Sequence, residues 1–257
     1  MKKLLSIILV IMLTMSLSIV ASAEQAVVPI SAELSAYELY LAAEEKMSGK
    51  SLEILGALEM TVSLSEDIIV ETTASFTSKM RYNNEGEIEM ATVGAMEALG
   101  EQFKFEQYFK DGFLYQNVMD VKMKSEIPAL AASRGLVPES QIPGEFFSDA
   151  TVEEVQGGKR IRITLGGDYM EKLVMDSVDI ASLGGLDNVR FGRTTMWITI
   201  GDDGAMKEMA MVYRLSMEVE GVTMRIRAAT NMHIVSVGKV QSISFPWDLN
   251  SYELVEI

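Results

Sequence analysis

The chain has 257 residues, with 22 lysines and arginines against 37 aspartates and glutamates, which gives a formal net charge of −15. This balance excludes the broad basic surface that drives non-specific nucleic-acid binding, and it disfavours docking on anionic headgroups through overall charge. Because cysteine is absent and there is one histidine, disulfides, thiolate metal sites, a cysteine nucleophile and paired-histidine sites are also excluded.

The first 23 residues have the order of a secretion signal. Two lysines precede an apolar stretch over residues 4–20, and a small-x-small pattern at Ala21 and Ala23 comes directly before Glu24. The sequence therefore predicts a Sec-type signal peptide over residues 1–23, cleaved between Ala23 and Glu24.

The mature chain, residues 24–257, is then secreted or held in the cell envelope, and it does not span a membrane. The alternative is that the segment stays as an N-terminal anchor, because its apolar stretch is near the lower length limit for a membrane span. No other stretch of the chain is apolar enough for a span.

The first predicted element of the mature chain is a helix over Ser35–Met47. Ser35 is a favourable N-cap and Glu38 follows three residues later, as in a capping box. Glu44 and Glu45 are expected on its solvated side. The apolar positions recur at helical spacing: Tyr37, Tyr40, Leu41 and Met47.

From Leu52 the period of the apolar residues changes to two, with the even positions through Leu64 on one face, which predicts a strand with one wet face. The same alternation predicts further strands separated by turns at residues 66–67, 83–86 and 111–112. These strands cover residues 68–81, 88–96, 103–109, 113–115 and 118–123.

Residues 125–147 interrupt the pattern with three prolines and two glycines, and we interpret them as a loop with a short helical piece at residues 129–133. The second half then returns to strands and turns. It contains a strand at 161–165, a helix from an Asp168 cap to Leu183, a strand at 189–200, odd apolar positions over 209–219, even ones over 222–234, and a last strand at 243–246.

About ten strands joined mostly by tight turns form a sheet too wide to stay flat, so it must curl. The predicted fold is α+β: a single large curled antiparallel β-sheet, a half-barrel in meander order, with covering helices on its concave side. We predict one domain over residues 24–257.

Three segments carry a resemblance to a known family: Ser35–Tyr40 with Glu45–Met47, Tyr108–Tyr115, and Val240–Leu249 with Tyr252. They resemble an uncharacterised family of exported proteins and lipoproteins of Gram-positive bacteria. That family is similar in turn to the LolA-like and LppX/LprG-like lipoprotein fold.

The resemblance implies a curled half-barrel closed by helices, often over an apolar cavity for lipid or acyl chains. Many such proteins begin with a lipidated cysteine, which this chain lacks, so the resemblance implies the fold without the membrane tether. The matching segments are structural and carry no catalytic residues.

Of the 19 methionines, Met1, Met12 and Met15 lie in the predicted signal peptide, and the other 16 are the main candidates for function. Their flexible, polarizable side chains suit a deformable cavity for an acyl chain, and they equally suit an irregular filled core. A copper–thioether site is disfavoured because Met232 and His233 are strand neighbours and face opposite sides. The residues predicted to line the cavity lie on the apolar strand faces: Leu58, Met60, Val62, Phe76, Met80, Met90, Phe103, Phe105, Met211, Leu215, Met217 and Met224.

No motif for a nucleophilic, metal-dependent or nucleotide-dependent enzyme is present, and we predict neither catalytic residues nor a cofactor. His233 and the adjacent pairs Glu44–Glu45 and Glu153–Glu154 are interpreted as surface residues. Two hypotheses remain. The first is a non-enzymatic binding protein for a lipid or other hydrophobic small molecule, and the alternative is a ligand-free envelope module that binds another protein.

Overall fold

The computed structural model describes residues 35–64, 69–118, 120–126, 142–171, 186–219 and 221–254. The predicted signal peptide with its cleavage site, the turn at residues 66–67, the helical piece at 129–133 and most of the helix predicted to end at Leu183 lie outside these ranges.

The helix predicted at the start of the mature chain is present as α1, Ala36–Met47. Its N-cap is Ser35, whose hydroxyl accepts a hydrogen bond from the Glu38 amide at 3.3 Å, while the Glu38 carboxylate accepts one from the Ser35 amide at 2.7 Å. The predicted capping box is therefore confirmed.

Thirteen strands form one mainly antiparallel sheet, more than the ten or so predicted from the sequence. The strands of the first half are β1 Leu52–Ser63, β2 Ile69–Tyr82, β3 Ile88–Ala98, β4 Glu101–Lys110, β5 Phe113–Val118 and β6 Val121–Glu126. Those of the second half are β7 Thr151–Val155, β8 Gly158–Leu165, β9 Leu186–Phe191, β10 Thr194–Gly201, β11 Met206–Val219, β12 Val222–Val237 and β13 Glu253–Leu254.

In the first half the neighbours are sequential, from β6 to β1, whereas in the second half the order is β12, β11, β10, β8 and β7, with β9 also pairing with β11. The pairing of β1 with β12 joins the two halves. The sheet is not closed, and its order runs from β13 at one end to β7 at the other. Residues as far apart across the sheet as Val118 on β5 and Ile161 on β8 share one core cluster, which requires the sheet to curl. The predicted curled sheet with helices is thus confirmed.

The core lies on the side of the sheet that carries α1, which we call the concave face. Tyr40, Ala43 and Met47 of α1 join the same cluster as the buried strand positions. As predicted, even positions of β1 and odd positions of β11 contribute to it together, from Leu52 through Val62 and from Met209 through Met217.

Three aromatic contacts hold the short helical pieces against each other beside the concave face. Tyr37 and Tyr40 of α1 each lie with their ring centroid 5.1 Å from that of Phe147, in the 3₁₀ helix Gly144–Phe147. Phe146 of the same 3₁₀ helix lies 4.6 Å from Tyr169, in the helical residues 167–171.

Two boundaries in the second half differ from the prediction. The helix at 167–171 starts one residue before Asp168, so Asp168 lies inside the first turn and is not the N-cap. Gly166 precedes the helix, and the Gly166 carbonyl accepts a hydrogen bond from the Met170 amide. A glycine begins this helix because a Cβ on Gly167 would lie 2.1 Å from the carbonyl oxygen of Phe191.

The single strand predicted over residues 189–200 is two strands, β9 and β10, which both pair with β11. Between the pairs Phe191↔Leu215 and Thr195↔Val212 one extra residue is inserted on the β9–β10 side, which is the signature of a β-bulge. The extra residue lies after Gly192, because the Gly192 amide still donates to the Arg214 carbonyl at 2.8 Å in the register of the Phe191–Leu215 pair.

The last predicted strand, residues 243–246, is wrong. Residues 239–252, which we call the strap, instead cross the outer face of β2 to β6 and end in β13, which pairs in parallel with β6. Side chains of the sheet meet the backbone of the strap: Ser51 accepts from the Val240 amide at 3.0 Å, and Arg81 donates to the Gln241 carbonyl at 2.7 Å.

The strap covers part of the outer face of the first half, around Tyr108, where alternation alone had predicted a wet surface, while outer positions of β1 and β2 such as Ala57 and Thr73 remain exposed. The Tyr108 ring lies 6.2 Å from that of Phe245, and Tyr115 meets Tyr252 edge-on at 5.5 Å, while Lys122 pairs with Asp248. Burial raises the pKa of both Tyr108 and Tyr252 to about 12.

Candidate functional site

The structure places all twelve residues of the predicted cavity lining on the concave face. Eleven are buried, and Phe103 is half-buried against the same cluster. Met90 belongs to a smaller neighbouring cluster with Phe109 and Leu114. The residues selected by alternation are therefore brought together, and their role as a ligand lining stays a prediction.

Two glycines in the strands let phenylalanine rings lie down on the sheet. A Cβ on Gly56 would lie 2.0 Å from the Cζ atom of Phe76, and a Cβ on Gly94 would lie 2.5 Å from that of Phe105. Gly56 pairs with Phe76 and Gly94 pairs with Phe105 across adjacent strands. Each ring therefore covers its partner's backbone and projects less into the interior.

Methionine is the main adaptable side chain of the buried surface. Its three rotatable bonds allow it to fill irregular spaces and to adapt to more than one neighbour. The buried methionines of the described residues are Met47, Met60, Met80, Met90, Met96, Met170, Met196, Met206, Met209, Met211, Met217, Met224 and Met232.

A carboxyl group lies within this apolar interior, contrary to the prediction that Glu44 is on the solvated side of α1. Glu44 is 5 % exposed, because it follows Tyr40 by four residues and precedes Met47 by three, which puts all three on one helix face. The prediction placed Glu44 in solvent because it is charged, but helical geometry determines which face of α1 a residue occupies. Glu45 is exposed, as predicted.

Tyr40 donates a hydrogen bond to Oε1 of Glu44, and the Ile142 amide donates to the Tyr40 hydroxyl at 3.4 Å. Burial raises the pKa of Glu44 to about 7, although the Tyr40 hydrogen bond acts in the opposite direction. Burial and the neighbouring carboxylate raise the pKa of Tyr40 well above its usual value. Glu44 can therefore be neutral inside the fold near pH 7 and able to donate a hydrogen bond.

Several other polar atoms on the concave side are buried without a hydrogen-bond partner. Buried hydroxyl and amide groups in proteins are usually hydrogen-bonded to protein atoms or to ordered water, so these atoms remain able to bond a ligand or a water molecule. Within the described residues these atoms are Glu44 Oε2, Thr72 Oγ1, Gln107 Oε1, Thr194 Oγ1, Tyr213 Oη and Thr230 Oγ1.

The remaining groups considered from the sequence lie on the surface. His233 is exposed on the outer face of β12, and Glu153 and Glu154 are exposed on β7. Among the described residues there is no group of three or more histidines or carboxylates placed to hold a metal ion. None of the helices in the described ranges is long and apolar enough to cross a membrane.

One group of residues was not singled out from the sequence. Four arginines lie around a depression of about 580 Å³ on the outer face of β1, β12, β11 and β9. Two smaller depressions, of about 320 and 190 Å³, lie on the same face. The sequence does contain a signal for this cluster. Arg214, Arg225 and Arg227 lie on the polar side of the alternation, and a two-residue turn at 220–221 sets a register that pairs Arg214 with Arg227.

No protein-family model matches the chain, and no curated protein does. Among solved structures, the chain is similar to LprF from Mycobacterium bovis, with a TM-score of 0.44, 10 % identity, and coverage of 82 % of this chain and 96 % of that one. It is also similar to a LolA superfamily protein from Nitrosomonas europaea, with a TM-score of 0.28, 10 % identity, and coverage of 84 % and 97 %.

A third similar structure is an outer membrane lipoprotein-sorting protein domain from Vibrio parahaemolyticus, with a TM-score of 0.23, 10 % identity, and coverage of 77 % and 89 %.

Proposed function

We propose that this chain is an exported, non-enzymatic binding protein for a lipid or other amphiphile, held between the concave face of the sheet and its covering helices. The observation that carries the proposal is the combination found on that face. It is apolar and rich in methionine, and it also holds buried hydrogen-bonding atoms without partners.

An amphiphile fits both halves of this combination. Its chain would be bound by burial of apolar surface, worth about 0.8 kcal/mol per methylene at best, against methionines that adapt to its shape. Its polar group would supply partners for atoms such as Oε2 of Glu44 or the Tyr213 hydroxyl. A neutral Glu44 can also donate to a carboxylate or phosphate, which makes binding strongest below about pH 7.

The location outside the cytoplasm is part of the same proposal. It is supported by the positive start, the apolar stretch over 4–20 and the small residues before Glu24. An extracytoplasmic protein with an apolar interior is suited to carry molecules that do not dissolve in water.

The alternative, a module that binds another protein, is favoured by one observation. Trp247 on the strap is 95 % exposed, and large aromatic side chains are enriched among the residues that dominate protein interfaces. The strand β7 at the end of the sheet order is also exposed along most of its length, and its outer edge pairs with no other strand of the described residues, which suits strand addition.

Uptake of a fluorescent fatty acid tests the two functions against each other. We expect saturable uptake by the purified mature chain, and weaker uptake by Met60→Trp and Met211→Trp, because the added bulk would occupy ligand space. Ala57→Trp is the matched control, since Ala57 is exposed on the outer face of β1.

The stability of the same variants separates a cavity from a filled core. Overpacking a filled core costs about 1–3 kcal/mol, whereas a cavity accepts the bulk at little cost. Unchanged stability with weakened uptake supports the proposal. Strong destabilisation by both substitutions, together with no uptake by the wild type, contradicts it and favours the interaction module with Trp247.

A further inference from the structure

Four arginines occupy one region of the outer face. Arg214 on β11 is directly opposite Arg227 on β12, and Arg227 is in turn opposite Thr61 on β1. Neighbouring strands lie about 4.8 Å apart, so the bases of the two arginine side chains are held within about 5.5 Å of each other.

The adjacent row of the sheet repeats the arrangement. Arg225 lies between Ser63 on β1 and Ser216 on β11, and Ser216 is followed by Arg190 on β9. Residues two apart on a strand are separated by about 7 Å, so the two rows form one compact grid. The four guanidinium groups surround the depression of about 580 Å³ described above.

Among the described residues, every polar side chain that lines the depression can donate a hydrogen bond, and none is a carboxylate. Besides the four arginines, the polar lining consists of the hydroxyls of Thr61, Ser63 and Ser216. No ion pair within 4.0 Å joins any of these arginines to a carboxylate of the described residues, in a chain whose net charge is −15. The nearest described carboxylates are Glu59 and Glu71, which line the neighbouring depression of about 320 Å³ together with Arg227, and Glu218, which is two residues from Ser216 on β11.

This arrangement is unfavourable in the absence of an anion. Like charges directly opposite each other on neighbouring strands destabilise a sheet, and arginine cannot relieve the repulsion by losing its proton. A planar guanidinium does, however, match carboxylate and phosphate oxygens in two-point hydrogen bonds. Four guanidiniums and three hydroxyls around one depression present more positive charge than a single carboxylate would balance.

We propose that the depression is a binding site for a phosphate-bearing anion carrying two or more negative charges, either on a lipid headgroup or on a soluble phosphate ester. The site lies on the opposite face of the sheet from the proposed lipid-binding interior. The inference is therefore independent of the proposed function, and either one can fail without the other.

Isothermal titration of the mature chain with pyrophosphate at low ionic strength measures the site directly. We expect saturable binding that weakens at least tenfold in the double variant Arg214→Gln, Arg227→Gln, and weakens further as salt is added. The control is Arg162→Gln, an exposed outer-face arginine on β8 outside the depression, which should bind as the wild type does.

Folding of the variants is checked by thermal unfolding. Because Arg214→Gln removes a like-charge contact, we expect it to raise Tm by about 1–3 °C at low salt. If the double variant fails to fold, Arg225→Gln takes its place, since Arg225 is opposite serines rather than another arginine.

Vesicles distinguish the two sources of phosphate. Cosedimentation with vesicles that contain cardiolipin, whose headgroup carries two phosphates, but not with pure phosphatidylcholine vesicles, identifies a headgroup site if it is lost in the double variant and displaced by pyrophosphate. Pyrophosphate binding without vesicle binding identifies a soluble ligand. The inference is overturned if neither probe binds at low salt, if binding survives the double substitution, or if Arg162→Gln loses it equally.

Discussion

Replacing Glu44 by glutamine removes the carboxyl group that the fold buries on the inner side of α1. Glutamine keeps the shape of the side chain and can still accept the hydrogen bond from Tyr40, but it carries no charge at any pH. The substitution therefore isolates the free energy that the fold loses when this carboxyl ionises.

The size of the effect follows from the pKa. Burial raises the pKa of Glu44 from an ordinary value of 4.5 to about 7, so between these values the folded chain holds a proton that the unfolded chain has lost. Stability from this group is complete below pH 4.5 and is lost as the pH rises through 7. Between pH 5 and pH 8 this amounts to a loss of about 2–3 kcal/mol in the free energy of unfolding.

Urea unfolding of the mature chain at pH 5, 6, 7 and 8 measures this loss. We expect Glu44→Gln to flatten the profile and to be more stable than the wild type at pH 8 by about 2 kcal/mol. Glu45→Gln, at the exposed neighbouring position, should keep the wild-type slope. If Glu44→Gln retains the full slope, Glu44 is already ionised in the fold and the account of a neutral interior carboxyl is wrong.

Three further outcomes are expected. Gly56→Ala should lower the free energy of unfolding by about 1–3 kcal/mol, because its Cβ meets a phenylalanine ring at 2.0 Å, whereas Gly166→Ala has open space around it and should change little in the same urea titration. Tyr252→Ala should cost about 3 kcal/mol because the ring is 3 % exposed, while Trp247→Ala, on the same strap but 95 % exposed, should stay within about 0.5 kcal/mol. N-terminal sequencing of the exported protein should begin at Glu24, and a retained initiator methionine on membrane-bound material would show an anchor instead.

Alternation predicted the sheet well because one face of each long strand packs on a core, so every second residue of such a strand is apolar. The even positions of β1 and the odd positions of β11 are buried as the pattern required. Alternation, together with the register set by the turn at 220–221, is also enough to pair Arg214 with Arg227. This part of the outer site was therefore predictable from the sequence.

The strap could not be predicted from periodicity. Its backbone is held by side chains of Ser51 and Arg81, and its aromatic residues pack on rings far away along the chain, so no regular spacing marks it. The bulge after Gly192 is defined by the difference between the registers in which β9 and β10 pair with β11, and that difference has no signature in the apolar pattern. The charge of Glu44 predicted a solvated position, whereas its spacing from Tyr40 and Met47 puts it on the buried face of α1.

Native mass spectrometry of the exported chain, purified without detergent, tests the central claim most directly. The account predicts a population carrying one extra mass in the range of a lipid or fatty acid, which is released by organic extraction and is reduced in Met60→Trp and Met211→Trp but not in Ala57→Trp. A wild-type chain that shows only its bare mass, and that stays bare after incubation with fatty acids and phospholipids, would contradict the claim that this fold binds an amphiphile.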